Sequence, residues 1–290
     1  MMAQLVITDV FLRDGLQDED VFVGLPNKLL VADRLAAAGF TRIEVTSFVN
    51  PRRVPQMGDA AELLAALPRS PQITHTVLAL NGRGVERAVA AGATDINIAV
   101  SASEAHSIEN AGRGSAEALA EFAAVTREFP GVRFNAAVST AFTCPFEGAI
   151  AQERLAWVVE EFLAMGVAVV GLADTLGTTP TRRVIEMLRS VQRAHPGAEL
   201  GLHLHNADGQ AIQTALEAAD LGVCHFDAAL AGFGGCPFAP GAAGNIATED
   251  LVAAFHQAGH DTGIDERLLA EAVLTARDAV AQGYPIEVSR

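Results

Sequence analysis

A closed (β/α)8 barrel is the fold class this sequence predicts, and three observations carry it. Short β-rich runs alternate with longer alanine- and leucine-rich helical runs, eight times over. The 290 residues are enough for such a barrel, which needs about 250. Ionisable residues also collect at the C-terminal ends of the predicted strands, where barrels assemble their sites. The alternative, a doubly wound open sheet, would show a glycine-rich turn after its first strand. Here Arg13-Asp14-Gly15 stands in that place. With no Pro/Ser-rich linker or low-complexity block, the chain reads as one catalytic domain over residues 1–290, a TIM barrel with a glycine-rich lid loop after strand 8 and an extra C-terminal helix.

Taken in order, the first strand spans 5–10 (Leu-Val-Ile-Thr-Asp-Val) and ends at the charged turn. A helix over 26–38 follows and stops at Gly39, which accepts the left-handed turn after the last helical residue. Strand 42–46 leads to helix 58–66, strand 73–78 to helix 84–91, and strand 95–100 to helix 116–129. Strand 133–139 pairs with helix 152–165, closed by Gly166, and strand 168–173 with helix 180–194. Strand 200–205 precedes helix 210–221, closed by Gly222. Strand 226–230 runs through a long loop into helix 248–258, and a final helix covers 265–282.

Composition narrows the chemistry. Half the residues are hydrophobic and 19% are charged, so a sizeable core is available and disorder is not expected. A net charge of −15 is a poor match for nucleic acid or an anionic membrane. The cysteines, Cys144, Cys224 and Cys236, show no paired spacing, which predicts a reducing compartment rather than a disulfide scaffold. A signal peptide and a membrane span are not expected, so the predicted location is cytoplasmic. Lys28 is the only lysine. A Schiff-base mechanism needs a lysine in the active site; Lys28 follows Pro26 at the start of a helix, where a solvated face is expected, so imine chemistry is set aside.

The most informative stretch is Leu200-Gly201-Leu202-His203-Leu204-His205-Asn206. Alternation on a strand sends both imidazoles to one face, about 6 to 7 Å apart. The competing reading is a pair of interior histidines satisfied by hydrogen bonds. With Asp14 after the first strand and Asn245 after the eighth, the set suits a divalent ion: Mg or Mn, with Zn or Co as alternatives and no organic cofactor. Its work would be Lewis-acid polarisation of a substrate oxygen. Arg13 offers a fixed cation for a carbonyl that becomes an enolate. Glu44 lies inside an apolar strand, where pairing with Arg13 would offset the cost of a buried carboxylate. Asp174 and Thr175 close the sixth strand.

The loop 231–245, with its glycines, Pro237 and Pro240, reads as a lid carrying Cys236 at its centre. Cys144 and Cys224 read as packing. Arg52 and Arg53 read equally as phosphate contacts or as a solvated basic turn. His75, His106, His195, His225, His256 and His260 show no matching partners in the sequence.

Several motifs together resemble one family: Arg13-Asp14-Gly15-Leu16-Gln17, Glu44-Val45-Thr46-Ser47-Phe48-Val49, Val54-Pro55-Gln56-Met57-Gly58-Asp59, Asp174-Thr175-Leu176-Gly177, His203-Leu204-His205 and the 231–250 loop. They are similar to the 3-hydroxy-3-methylglutaryl-CoA lyases, barrel metallolyases, along almost the whole chain. The cysteine loop separates this branch from the condensing synthases. The resemblance implies retro-Claisen cleavage of a 3-hydroxyacyl-CoA to acetyl-CoA and a 3-oxo acid such as acetoacetate, as in leucine catabolism. It implies Asp14, His203, His205 and Asn245 as metal ligands, and Arg13 as the group that stabilises the enolate. Glu44 and Asp174 match the supporting acidic residues, and Cys236 the lid cysteine that handles a proton. It further implies substrate contacts from Arg13, Gln17, Thr175, Arg52, Ser103 and Asn110, an acyl-CoA as the partner molecule, and a homodimer.

Two departures lie close to the chemistry. Phe11-Leu12 stand where the family has Gly-Pro, and Asn206-Ala207-Asp208 where it has Asp-Thr-Tyr. They raise the alternative of a related acyl group, such as citramalyl-CoA or a longer branched 3-hydroxyglutaryl-CoA, and place a new carboxylate beside the expected metal. A condensing synthase and a non-catalytic binding barrel complete the alternatives.

Overall fold

A computed structural model describes residues 4–235 and 244–286. Eight parallel strands close into a barrel: β1 (Val6–Asp9), β2 (Arg42–Ser47), β3 (Thr74–Ala79), β4 (Asp95–Ser101), β5 (Arg133–Ser139), β6 (Val170–Asp174), β7 (Leu200–Leu204) and β8 (His225–Ala228). Each pairs with its sequence neighbours, and β1 closes the ring between β8 and β2. Around it run α1 (Leu25–Ala37), α2 (Ala60–Ala66), α3 (Gly82–Ala90), α4 (Glu104–Ala111), α5 (Ser115–Glu128), α6 (Gln152–Ala164), α7 (Thr181–Ala194), α8 (Ala211–Asp220), α9 (Thr248–Gln257) and α10 (Glu266–Ala281). Every predicted strand and helix is present within a few residues of its expected bounds. No helix among the described residues is long and apolar enough to cross a membrane.

The main core lies between the barrel wall and the helices. Outward-facing strand residues such as Ile43, Ile96, Ile98, Val138, Leu172 and Phe226 are almost completely buried there. At about 25 cal/mol per Å² of apolar surface removed from water, this sheath is the main stabilising element.

Some elements escaped the sequence reading. Helix α4 has no apolar stripe; it is organised by the Ser103 side chain, which accepts a hydrogen bond from His106 N at 3.0 Å and caps it. A two-residue strand, Val21–Phe22, pairs antiparallel with Tyr284–Pro285, and Ile286 N donates to Asp20 O at 3.2 Å. The C-terminal segment thereby straps the connection that leads out of the first strand's turn.

Lys28 corrects an expectation. It is 1% exposed, not solvated. Its Nζ donates to Asp59 Oδ1 at 2.6 Å and Gln56 O at 2.8 Å, and lies 4.7 Å from the centre of the Phe22 ring. Burial lowers its pKa, and Asp59 works against that shift. The amine is spent on tying α1 to the loop before α2 and does not line the barrel cavity, so the exclusion of imine chemistry stands on different grounds.

Candidate active site

The site begins with an unusual turn. Directly after β1, Phe11–Gly15 form a π-helical turn in which the amides of Arg13, Asp14 and Gly15 all donate to Val10 O, at 3.1, 2.8 and 3.1 Å. Such wide turns recur at functional sites. The buried Asp9 carboxylate anchors the turn by accepting from Phe11 N at 3.0 Å. Phe11 and Leu12 pack into the core, with the Phe11 ring edge-on to Phe233, while Arg13 and Asp14 face the cavity. The first departure from the family pattern is therefore a packing feature.

Arg13 is clamped from two sides. Its Nε donates to Glu44 Oε2 and its Nη1 to Asp14 Oδ1, which leaves Nη2 without a protein acceptor among the described residues. The other Glu44 oxygen accepts from Asn97 Nδ2 at 3.1 Å, and the β2–β3 register slips between Glu44 and Thr46. A bulge of this kind re-aims a side chain. Burial alone would lower the Arg13 pKa, but Asp14 and Glu44 outweigh it and raise it, so the guanidinium is permanently charged.

Asp14 is the hub. Its Oδ2 lies 3.8 Å from His203 Nε2 and 3.7 Å from His205 Nε2, and it accepts from Asn245 Nδ2 at 2.7 Å. Gln17 Nε2 donates to Oδ1 at 3.2 Å. One ligand atom each from Asp14, His203 and His205 falls within 4.8 Å of the others. Burial pushes the Asp14 carboxyl up, yet Arg13 and the two imidazoles overcome this and hold it well below the usual carboxylate range.

Two buried atoms at this hub, Asn245 Oδ1 and His205 Nδ1, have no hydrogen-bond partner among the described residues. Orphaned buried polar atoms are costly and rare. Two imidazoles, a carboxylate and an amide oxygen with such atoms to spare fit a divalent cation.

Asp227, on β8, was missed by the sequence reading. Its Oδ2 lies 3.3 Å from His203 Nδ1. The signal was available in principle, because His225 and Asp227 repeat the two-residue alternation on the strand beside His203 and His205. Burial lowers the His203 pKa, but the Asp227 bond and the Asp14 charge bring the net shift upward.

Backbone contacts seat the far side of the hub. Gly177 has φ +67°, and a Cβ there would come within 2.6 Å of His205 C and 2.7 Å of Ala207 N, so the sixth β–α loop presses on the chain just past β7. Gly234 has φ +101°, and a Cβ there would lie 2.5 Å from Asn245 Nδ2 and 3.0 Å from Asp14 O.

The cavity these groups line has a volume of about 340 Å³. Gln17, Thr175 and Asn110 line it. Other residues expected at the site lie outside the cavity lining. Ser103 is completely buried as the α4 cap, accepts from Cys144 Sγ at 2.9 Å and faces away from the cavity. Arg52 and Arg53 sit exposed on the turn after β2, outside the wall. Asp174 does not reach the wall either. Its carboxylate accepts from Thr179 N at 3.0 Å and Thr179 Oγ1 at 2.7 Å, which oppose the rise in pKa from burial without cancelling it. Asp208 is exposed rather than beside the hub, and Asn206 Oδ1 accepts from Ala211 N at 3.1 Å at the start of α8. The second departure therefore puts no new carboxylate into the cavity wall.

Cys236 lies outside the described residues. Cys144 is buried as expected, whereas Cys224 is half-buried. Among the histidines read as unpartnered, His256 bonds Glu266 Oε1 at 2.6 Å and Thr262 Oγ1 at 2.8 Å, and His225 Nε2 lies 3.6 Å from Glu199 Oε1.

Comparison with known proteins adds a family context to this geometry. The HMGL-like family profile matches residues 4–275. The chain is 40% identical over 268 residues to the mitochondrial hydroxymethylglutaryl-CoA lyase of Homo sapiens, covering 92% of this chain and 82% of that protein. It is 39% identical over 276 residues to the (R)-citramalyl-CoA lyase of Chloroflexus aurantiacus, covering 91% and 87%. Among solved structures, an HMG-CoA lyase of Acinetobacter baumannii in complex with coenzyme A and 3-methylmalate superposes with a TM-score of 0.91 at 37% identity, covering all of this chain and 96% of that one.

Proposed function

This chain belongs to the HMGL-like family, and from that premise we propose that it cleaves a 3-hydroxy-3-methylglutaryl-CoA-like thioester to acetyl-CoA and a 3-oxo acid. It is a carbon–carbon lyase. The observation that carries the reading is the arrangement around Asp14: a buried carboxylate shared by a clamped arginine and two imidazoles, with one ligand atom from each of Asp14, His203 and His205 within 4.8 Å of the others.

Asp14, His203, His205 and Asn245 would hold the cation, with Mg or Mn the best match to these donors and Zn or Co as alternatives. When bound, it supplies Lewis-acid polarisation of a substrate oxygen. Arg13 meets the negative charge that develops on the thioester oxygen as the carbon–carbon bond breaks. Its Nη2 is the free edge of a guanidinium whose aim Glu44 fixes, so no reorganisation is needed when the charge appears. Asp227 accepts the His203 Nδ1 proton and keeps Nε2 turned toward Asp14. Asp174 acts at a distance, by bonding Thr179 and steadying the end of β6. Cys236 is the proposed proton source for the enolate carbon.

A second acyl group is favoured by one relative, the citramalyl-CoA lyase. The experiment is acetyl-CoA release from 3-hydroxy-3-methylglutaryl-CoA and from citramalyl-CoA, with added Mn²⁺ and with chelator. Arg13→Met should lower turnover by about 10² to 10³ with the fold intact. Metal-independent cleavage, or full turnover in Arg13→Met, would overturn the assignment.

A further inference from the structure

We propose that the barrel axis beneath His203 is an acyl subsite, built to take a substituent several carbons longer than methyl on the hydroxyl-bearing carbon. The inference rests on the lyase reading above and specifies its substrate class.

A barrel of this type normally fills its interior with layers of bulky branched side chains. Here the hydrogen-bonding register places Ala99, Ala137, Gly171 and Gly201 side by side on four consecutive strands, followed by His225 on the fifth. The row directly above them holds Ala173, His203 and Asp227. All of these residues line the one cavity. Immediately under the imidazole, half the circumference of the barrel thus contributes nothing larger than a methyl group, and the cavity descends to the N-terminal ends of the strands. Its walls there come from Arg42, Thr76 and Asn135.

The floor closes the chamber and sets its length. Asp95 is buried and accepts from Arg42 Nη2 at 2.9 Å, Thr76 Oγ1 at 2.9 Å and Asn135 Nδ2 at 2.8 Å. Asn97 and Asn135 are register partners one alternation below Ala99 and Ala137. Their Oδ1 atoms are buried without partners among the described residues, so the floor is polar. The wall between the His203 row and this floor offers no side-chain hydrogen bond on four of its strands. Four residues of strand separate the two levels, about 13 Å. Water held along such a wall is poorly bonded, and replacing it with alkyl groups is favourable.

The test compares two thioesters on the manganese-loaded chain, 3-hydroxy-3-methylglutaryl-CoA and 3-hydroxy-3-pentylglutaryl-CoA. In each, the bond from C2 to C3 breaks, the hydroxyl proton leaves as C3 becomes a ketone, and C2 gains a proton. The products are acetyl-CoA with acetoacetate or 3-oxooctanoate. Burial of a methylene is worth about fourfold, so kcat/KM for the pentyl substrate should exceed that for the methyl one at least tenfold. Ala137→Phe and Gly171→Val fill the chamber; a Cβ at Gly171 meets only Ala136 O, at 3.5 Å. Both should lower the pentyl-to-methyl ratio at least tenfold, mainly through KM, and should weaken binding of 3-oxooctanoate relative to acetoacetate by calorimetry. Cleavage of the methyl thioester alone, or a ratio unmoved by both substitutions, sinks the subsite and spares the lyase. Cleavage of neither thioester, nor of citramalyl-CoA, sinks the lyase reading; the calorimetric preference for 3-oxooctanoate then decides the subsite by itself.

Discussion

Asp9→Asn is the sharpest test of how the catalytic turn is held. Asp9 ends β1 and is fully buried; it accepts from Phe11 N at 3.0 Å and from Thr248 Oγ1 at 2.7 Å. Burial raises its pKa to about 7, even though both hydrogen bonds oppose the rise. Against an unfolded value of 3.8, that is a shift of about 3 units, or roughly 4 kcal/mol at 1.36 kcal/mol per unit. Between pH 4 and 7 the folded chain keeps a proton that the unfolded chain releases. The raised pKa therefore contributes stability that is complete in acid and disappears as pH climbs through 7. Asparagine is isosteric and uncharged; it still accepts from Phe11 N, and its amide donates to Thr248 Oγ1. Guanidinium unfolding of wild type and Asp9→Asn from pH 4 to 8 should give stabilities within about 1 kcal/mol at pH 4, with the gap widening steadily as pH rises toward 7. At pH 8 the variant should be more stable by about 2 to 4 kcal/mol. Two pH profiles that run parallel would refute the argument, because the difference between them isolates this one carboxyl.

Lys28→Met should cost about 3 to 5 kcal/mol, since it strands the Asp59 carboxylate in the interior. The double variant Lys28→Met/Asp59→Leu should recover most of the loss in a thermal melt, and a lack of recovery would mean that packing, not charge, dominates there. Asp227→Asn should weaken metal binding about 10- to 100-fold in a chelator competition while leaving the circular dichroism unchanged. Unaltered affinity would remove Asp227 from the account. Gly177→Ala should destabilise the chain by about 1 to 3 kcal/mol through its left-handed backbone and reduce metal affinity as well, because the new methyl displaces His205; a stable variant with normal affinity would contradict the close approach.

The barrel was legible because each strand presents an apolar run to the helices, and the helices stop at glycines that the next strand requires. The metal hub was legible for a related reason: alternation on β7 puts two imidazoles on one face whatever the rest of the chain does. What escaped depended on pairings between distant segments. Lys28 carries nothing in its own neighbourhood that marks it as buried; its partners, Gln56 and Asp59, arrive only when the short helical turn at Pro55–Met57 folds over it. Ser103 stood as a substrate contact only through the family resemblance, whereas a serine opening a polar helix is the ordinary mark of a cap. Arg52 has charge but no partner within the wall to draw it inward. The small-residue row could not be read until the register aligned Ala99, Ala137, Gly171 and Gly201, which lie on separate strands and form no motif in the sequence.

The wide turn at Phe11–Gly15 makes its segment intolerant of length change. Arg13 and Asp14 are consecutive, yet both side chains enter the cavity, because three successive amides hang from the single Val10 carbonyl. Deleting one residue between Phe11 and Gly15 would tighten the coil to an ordinary α-turn and rotate one of the two away from the barrel axis. Whichever one left, either the cation would lose its carboxylate or the developing enolate its guanidinium. Loop-shortening or grafting of this stretch will therefore abolish turnover even where the barrel still forms, whereas trimming the exposed turn that carries Arg52 and Arg53 leaves the geometry of Arg13 and Asp14 untouched.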